Sequence, residues 1–306
     1  MRKNTLQSTK KPMSPLMKKE AINGYIGILP WLIGFLCFTA IPLIAAFSLS
    51  FTYWDILTPI RWAGLSNFKK ILQDEKIWFS LWNTFRYTAI SVPLTTALGL
   101  FIALIMNQKV KGILVFRVIY YLPAVLPATA VALLWVWILN PEFGIINTFL
   151  AYFGITGPAW LSDPNWAMSG VIMRACWGVG GGMILFLAAL QNVPQTYYEA
   201  ARIDGGNAWH CFRKVTLPMI SPTIFYFVIT GMIASLQEFT LFKVMTNGGP
   251  VESTTTFVLY LYEVAFGRYN IGYASALSWI IFFISLVLTW SLFKSSKWVY
   301  YEEEGK

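Results

Sequence analysis

The sequence predicts an all-α, polytopic membrane protein with six transmembrane helices and both termini in the cytoplasm. Of its 306 residues, 57% are hydrophobic and 12% are charged, whereas a soluble domain carries about 25% charged residues. The hydrophobic residues are grouped in six runs, each long enough for a helix that crosses a hydrocarbon core of ~30 Å. Lysine and arginine are concentrated in the segments that this arrangement places inside the cell, which gives the orientation.

The chain begins with a polar, basic segment at residues 1–20, which we expect to be a cytoplasmic tail. Residues 21–54 then contain no charged side chain. This run is longer than the apolar part of a signal peptide and lacks a convincing cleavage site, so it predicts an uncleaved first span at about 25–50. Pro30 and Pro42 are expected to kink or unwind parts of that span.

Five further spans are predicted, at about 84–106, 117–139, 167–190, 219–245 and 273–293. Trp135 and Trp137 close the third span and are placed near the membrane interface. Residues 140–165 are rich in Asn, Pro, Gly and Trp, which indicates an extracytoplasmic loop, and a surface helix is expected within it at 144–153. The domain organisation is therefore one six-span domain over residues 21–295, followed by a cytoplasmic tail over 296–306.

A polar segment at residues 191–218 interrupts the apolar runs between the fourth and fifth spans. Its first part, 195–204, has apolar residues near helical spacing, which predicts a short helix. The glycine pair at 205–206 is expected to end this helix in a sharp turn, because glycine accepts the backbone angles of such turns without steric cost.

The second part of this segment predicts another short helix, at 208–215. Asn207 is a candidate N-cap, since its side-chain oxygen can accept a hydrogen bond from a free N–H of the first turn. Pro218 is expected to end the helix before the fifth span begins. Two short helices at an angle would make a compact projection on the membrane surface.

The spacing in this segment resembles the EAA loop of bacterial ABC-importer permeases. It reads Glu-Ala-Ala, three residues, Gly, nine residues, a branched apolar residue, one residue and Leu-Pro. In that family the loop docks into a cleft on the ATPase subunit, so the resemblance implies that this segment couples the chain to an ATPase. The implied coupling residues are Glu199, Ala200, Ala201, Asp204, Gly205, Leu217 and Pro218. The alternative is an ordinary amphipathic cytoplasmic loop.

Three more motifs resemble the carbohydrate branch of these permeases. They are Trp-Ala-Gly-Leu-Ser-Asn-Phe at 62–68, Gly-Gly-Pro at 248–250 and Gly-Tyr-Ala-Ser-Ala at 272–276. The first is also compatible with an interfacial aromatic belt, and the last with close packing of helices at small residues. With these motifs the resemblance covers about residues 25–295, and the chain is identified as similar to ABC-importer permease subunits of the maltose-transporter type.

This resemblance implies a subunit that forms half of the path for a sugar or oligosaccharide in a multi-pass protein of the bacterial cell membrane. It implies no enzymatic activity and no cofactor on this chain, since ATP and Mg would be bound by the partner ATPase. The implied partners are a second permease subunit in a heterodimer, two copies of an ABC ATPase, an extracytoplasmic substrate-binding protein and membrane lipid. The binding protein selects the sugar in such systems.

Composition argues against several other classes of protein. Three cysteines and one histidine form neither a disulfide framework nor a metal-ligand pattern. The sequence contains no P-loop, no G-x-S-x-G motif and no dinucleotide-binding fingerprint. The net charge of +9 comes largely from the predicted cytoplasmic segments, so it is explained by membrane orientation, and nucleic acid is not an expected partner.

Two of the charged residues inside predicted spans, Arg174 and Glu238, indicate the substrate path. Arg174 and Glu238 would each lie ~10 Å below the outer surface, where charges face a bundle interior, a water-filled cavity or each other. Each is expected to share a helix face with small or polar residues, and we call these two faces the predicted substrate path. The first face comprises Arg174, Trp177, Gly178 and Gly181, and the second comprises Gly231, Ser235 and Glu238. In maltose-type permeases the sugar is held by the helices before and after the EAA loop.

Two interpretations of this charge pair are open from the sequence. Arg174 could bind the carboxylate of an acidic sugar while Glu238 accepts hydroxyl hydrogens, or the two could form an ion pair that packs two spans together. For the chain as a whole, an ion-coupled secondary transporter is the alternative function, but Glu238 is the single acidic residue within a span and no inverted repeat is apparent. A membrane-embedded enzyme would need a catalytic constellation, which the sequence lacks.

Overall fold

The computed structural model describes residues 14–300, and its helices are joined mostly by short turns and loops. The tails predicted at 1–20 and 296–306 lie partly outside these residues. The helices are α1 (Pro15–Leu49), α2 (Ser66–Gln73), α3 (Glu75–Met106), α4 (Ile113–Val125), α5 (Ala128–Ile138), α6 (Ile145–Tyr152), α7 (Ala167–Trp177), α8 (Gly180–Gln191), α9 (Gln195–Ile203), α10 (Ala208–Met219), α11 (Ser221–Leu236), α12 (Thr240–Met245), α13 (Phe257–Gly267) and α14 (Ile271–Lys294). A single turn of 3₁₀-helix follows at Ser296–Trp298.

Three of these helices, α1, α3 and α14, are each long and apolar enough to cross a membrane without interruption. Three further spans consist of helix pairs that bend sharply: α4 with α5 by 101°, α7 with α8 by 44°, and α10 with α11 by 62°. If each pair counts as one span, the described chain has up to six spans. The predicted all-α fold with up to six spans is confirmed, and three of these spans are bent helix pairs. The placement of both termini in the cytoplasm stays a prediction.

The first span is helical through both of its prolines. Ser14 caps it, since its hydroxyl accepts a hydrogen bond from the N–H of Met17 at 3.3 Å, and Pro15 occupies the first turn, where a missing N–H costs nothing. A π-helical segment, Leu36–Ala40, immediately precedes the turn that contains Pro42 and takes up the locally altered hydrogen bonding. No described residue of α1 is buried within this chain. Its C-terminal part contacts α14, where the rings of Phe47 and Trp279 lie 4.9 Å apart between centroids.

The third predicted span, 117–139, consists of two helices joined by a sharp bend, α4 and α5. Proline disfavours helical geometry in the residue before it, and Leu126, which precedes Pro127, is extended with φ −71° and ψ 146°. The chain therefore turns by 101° between α4 and α5. The surface helix predicted at 144–153 is confirmed by α6 at Ile145–Tyr152.

The fifth predicted span, 219–245, is wrong in its bounds. Its helix starts as α10 within the polar segment, bends at Ile220 and ends at Leu236. The proline at 218 does not end a helix, because it lies in the first turn after a π-helical stretch at Phe212–Thr216, where its missing N–H is tolerated. The remaining residues of the predicted span form the separate short helix α12.

A two-stranded hairpin follows α1. Thr52–Tyr53 pairs antiparallel with Arg61–Trp62. The buried amide of Asn67, at the start of α2, donates to the carbonyl oxygens of Ser50 and Thr52, at 2.9 Å each. The asparagine of the motif at 62–68 therefore fastens α2 to the end of the first span.

Candidate coupling segment and substrate path

The first half of the polar segment folds as predicted. Helix α9 covers Gln195–Ile203, and Gly205 follows it with a φ of +79°, in the left-handed region that favours glycine. The N–H of Gly206 donates back to the carbonyl oxygen of Ala201 at 2.8 Å, which satisfies one of the last carbonyls of the helix. The prediction that the glycine pair ends this helix is confirmed.

The second half begins at the predicted N-cap and extends further than predicted. The side-chain oxygen of Asn207 accepts a hydrogen bond from the N–H of His210 at 2.8 Å, and the N-cap prediction is confirmed. The helix that follows runs to Met219 rather than to 215. It leads into α11 across the 62° bend at Ile220, so this second helix is continuous with a membrane-spanning element.

The two helices of the segment are held together on their inner side. The hydroxyl groups of Tyr198 and Thr216 lie 3.0 Å apart and form a hydrogen bond, and Thr216 is buried. Cys211, in the first turn of α10, is also buried. The two helices of the projection therefore pack against each other.

The predicted coupling residues divide into an exposed group and a half-buried group. Glu199, Ala200, Asp204 and Gly205 are exposed. The half-buried ones are Ala201, Leu217 and Pro218. Leu217 and Pro218 lie at the end of α10, next to its bend into α11, so they contribute to the base of the projection and not to its tip.

Sequence reasoning missed two apolar side chains on this projection. Ile203 is 86% exposed and Trp209 is 66% exposed. Ile203 follows Glu199 by four positions and lies on the same face of α9. Both positions could have been found from the sequence, because large apolar residues within a polar segment indicate a contact surface for another protein.

The substrate-path residues before the coupling segment do not lie on one continuous helix face. Arg174 and Trp177 lie in the last turns of α7, Gly178 is the residue that ends this helix, and the 44° bend then separates them from Gly181. The prediction of one helical face over all four residues is wrong, because the helix is interrupted at Gly178 and Val179. Arg174 is half-buried, whereas Gly181 is exposed.

The residues after the coupling segment are divided in a similar way. Gly231 packs near the side chain of Val92, and the buried hydroxyl of Ser235 donates to the hydroxyl of Thr88 at 3.0 Å, so both positions face α3. Glu238 was predicted to lie inside the fifth span, but it comes after the end of α11. Its Oε1 accepts a hydrogen bond from the N–H of Leu241 at 3.0 Å, in the first turn of α12.

Arg174 and Glu238 do not form an ion pair. In the described part of the chain, the ion pairs within 4 Å are Lys76 with Glu252 and Arg268 with Glu263. The two charges nevertheless lie close enough to interact electrostatically, and the buried side chain of Tyr87 lies near both of them. The structure thus brings Arg174 and Glu238 into one region, but they do not form the ion pair that was considered as an alternative to substrate binding.

Trp135 is a second residue of this region that sequence reasoning misplaced. It was expected near the membrane interface together with Trp137, but it is only 7% exposed, while Trp137 is exposed. Its ring lies edge-on to that of Trp177, with 6.1 Å between ring centroids. The indole N–H of Trp135 is buried and has no hydrogen-bond partner among residues 14–300.

Comparison with known proteins gives consistent matches over nearly the whole chain. The family described as "Binding-protein-dependent transport system inner membrane component" matches residues 95–299. The chain is 40% identical over 294 residues to the probable ABC transporter permease protein YesP of Bacillus subtilis, covering 94% of this chain and 95% of that protein. It is 34% identical over 281 residues to the trehalose/maltose transport system permease protein MalF of Thermococcus litoralis, covering 90% and 94% respectively.

A solved structure has the same fold. A chain of a bacterial ABC transporter involved in the import of the acidic polysaccharide alginate superimposes with a TM-score of 0.82 and is 25% identical in sequence. The match covers 93% of this chain and 99% of that one.

Proposed function

Because the chain belongs to the family of binding-protein-dependent transport system inner membrane components, we propose that it forms half of the translocation path for a sugar or oligosaccharide. Membership makes it the transmembrane permease subunit of an ABC importer and a multi-pass protein of the inner membrane, with ATP hydrolysis on a separate subunit. Relatives that align with it almost end to end are ABC permeases, which leaves no support for an ion-coupled secondary transporter.

The sugar is proposed from the relatives. One relative is named for trehalose and maltose, and a matching structure belongs to an importer of the polysaccharide alginate. These ligands differ in length and charge but share the hydroxyl-rich rings of carbohydrates. We further propose a heterodimer with a second permease, two copies of an ABC ATPase that bind ATP and Mg, and an extracytoplasmic substrate-binding protein.

The exposed face of α9 supports the proposed docking of the ATPase on residues 191–218. Glu199 forms no ion pair with any residue of the described chain, and Ile203 exposes its apolar side chain one helical turn away. A free carboxylate beside an exposed apolar group is suited to a partner surface with a basic side chain and a hydrophobic pocket. The half-buried Leu217 and Pro218 would then transmit movement from this projection to α11.

Charge reversal at Glu199 tests this coupling. E199K would place like charges together at the proposed contact, and we expect uptake of the transported sugar to fall at least ~10-fold, as loss of a charge-assisted contact predicts. Copurification of the ATPase with the permease should fall as well, while the amount of permease in the membrane should stay normal. Uptake is measured in cells or vesicles that contain the complete importer.

E142K is the matched control. Glu142 is exposed on the loop that follows α5 and lies outside residues 191–218, so the same charge reversal there should leave copurification of the ATPase unchanged. Normal uptake and ATPase binding by E199K would contradict the assignment of this segment to coupling.

A further inference from the structure

Arg174 is a cation in the interior of the helical bundle that lacks a direct counter-ion. It lies on α7, half-buried, and its Nε–H is buried with no hydrogen-bond partner among the described residues. Its Nη1 atom lies beside Gly178, where a Cβ atom would be 3.7 Å away. A charged group with unused donors at such a position is costly unless a ligand or a partner completes its hydrogen bonds.

The nearest carboxylate is engaged elsewhere. Oε1 of Glu238 accepts a hydrogen bond from the N–H of Leu241, which fixes this side chain at the beginning of α12. Glu238 therefore interacts with Arg174 electrostatically without accepting a hydrogen bond from its guanidinium. Its second oxygen can still accept a hydrogen bond from a hydroxyl group.

The surroundings of Arg174 add donors and aromatic surface. The indole N–H of Trp135 is a second buried donor without a partner in the described structure. Trp177, one turn after Arg174 on the same helix, contacts Trp135 edge to face and exposes part of its ring. Two unsatisfied donors beside a partly exposed aromatic ring would fit a ligand with an anionic group attached to a ring that stacks on an aromatic side chain.

We propose that Arg174 binds the carboxylate of a uronic acid residue, so that the transported saccharide is acidic. The planar guanidinium matches a carboxylate by two parallel hydrogen bonds, the Trp177 ring stacks on the sugar, and the free oxygen of Glu238 accepts a hydroxyl hydrogen. This inference rests on the proposed function, since it names the substrate class of the same path.

The test compares acidic and neutral saccharides in the complete importer. The probes are disaccharides of galacturonic, glucuronic and mannuronic acid, each paired with its carboxyl-reduced, neutral counterpart, and the readout is the ratio of uronate uptake to neutral uptake. Wild-type importer is expected to take up at least one uronate disaccharide. R174Q should lower that uptake by ~10–100-fold, as for a lost charge-assisted hydrogen bond, without lowering uptake of the neutral partner.

Two further variants make the outcome unambiguous. R61Q removes an exposed arginine of the hairpin after the first span, and it should behave as wild type. R174K keeps the positive charge but cannot form the two parallel hydrogen bonds of a guanidinium, so its ratio of uronate uptake to neutral uptake should lie between those of wild type and R174Q. If R174Q fails to assemble, a lowered ratio in R174K supports the proposal and an unchanged ratio contradicts it. As a second measurement, the uronate disaccharide that the wild type imports should raise the melting temperature of the purified wild-type complex more than it raises that of the purified R174K complex.

The inference fails in two ways that differ from failure of the proposed function. Uptake of neutral disaccharides alone by the wild type would overturn it, and so would an unchanged uptake ratio in the Arg174 variants, because a purely packing role lowers both uptakes together. Failure of the wild type to import any saccharide, acidic or neutral, would instead overturn the assignment to sugar transport.

Discussion

Two adjacent glycines at the start of α8 provide a matched test of how the bent spans pack. A Cβ atom at Gly180 would lie 2.3 Å from the carbonyl oxygen of Tyr120 and 2.8 Å from the Cα atom of Tyr121, whereas a Cβ atom at Gly181 would have no atom within 4 Å. Optimal carbon contacts lie at ~3.5–4.0 Å. G180A would therefore have to move the backbone of α4 away from α8 by roughly 1 Å.

The two substitutions share one favourable effect and differ in one unfavourable effect. Alanine is preferred to glycine in a helix by up to ~1 kcal/mol, and this applies to both positions. Overpacking costs ~1–3 kcal/mol and applies to G180A alone. The free energy of unfolding of G180A should therefore be lower than that of G181A by ~1–3 kcal/mol, which corresponds to several degrees in melting temperature.

Thermal unfolding of the detergent-purified complex measures this difference, with wild type and both variants compared in one detergent. The readout is stability alone, so the place of Gly181 in the proposed substrate path does not affect it. Equal melting temperatures of G180A and G181A would refute the close contact between α4 and α8.

Two other substitutions test the hairpin that follows the first span and the turn at Gly205. N67A removes the amide that donates to Ser50 and Thr52 and leaves two buried carbonyls unpaired, so it should lower the free energy of unfolding by ~1–3 kcal/mol, measured by thermal unfolding. G205V forces a β-branched residue to a φ of +79°, at a cost of ~1–3 kcal/mol, and should impair uptake. G154V, in the loop that follows α6, forces the same residue to a φ of +71°, so it should carry similar strain and leave uptake intact. Equal uptake by the two variants would contradict the role of the turn at Gly205.

The number and approximate positions of the spans could be predicted because hydrophobicity is a local property of the sequence. Whether the helix formed by an apolar run is straight or bent depends on its neighbours in the fold as well as on its own sequence. Pro93 and Pro123 lie inside continuous helices, whereas Pro127 coincides with a bend of 101°. The same residue type gives both outcomes because neighbouring helices decide whether a lost N–H hydrogen bond is compensated.

The candidate site could be predicted to a lesser degree. Glycine and asparagine at 205–207 act within one turn of the chain, so their roles in the coupling segment follow from sequence. The environment of Arg174 depends on where other helices end. Glu238 lies beyond the end of α11, and Trp135 turns inward instead of toward the membrane surface, and neither fact is encoded in residue spacing.

The bends and helix ends give the proposed path a definite relation to the coupling segment. Helix α8 enters this segment and α11 leaves it, with 12 and 16 residues respectively, or about 18 and 24 Å at 1.5 Å per residue. Arg174 lies just beyond the far end of α8, and Glu238 just beyond the far end of α11. Because helices resist bending between their ends, a displacement of residues 191–218 would be carried along both helices to the bends and turns beside these two charges. If the proposed ATPase contact at Glu199 and the proposed ligand contact at Arg174 both hold, the physical link between them would consist of these two helices, and the movement would change the distance between Arg174 and Glu238.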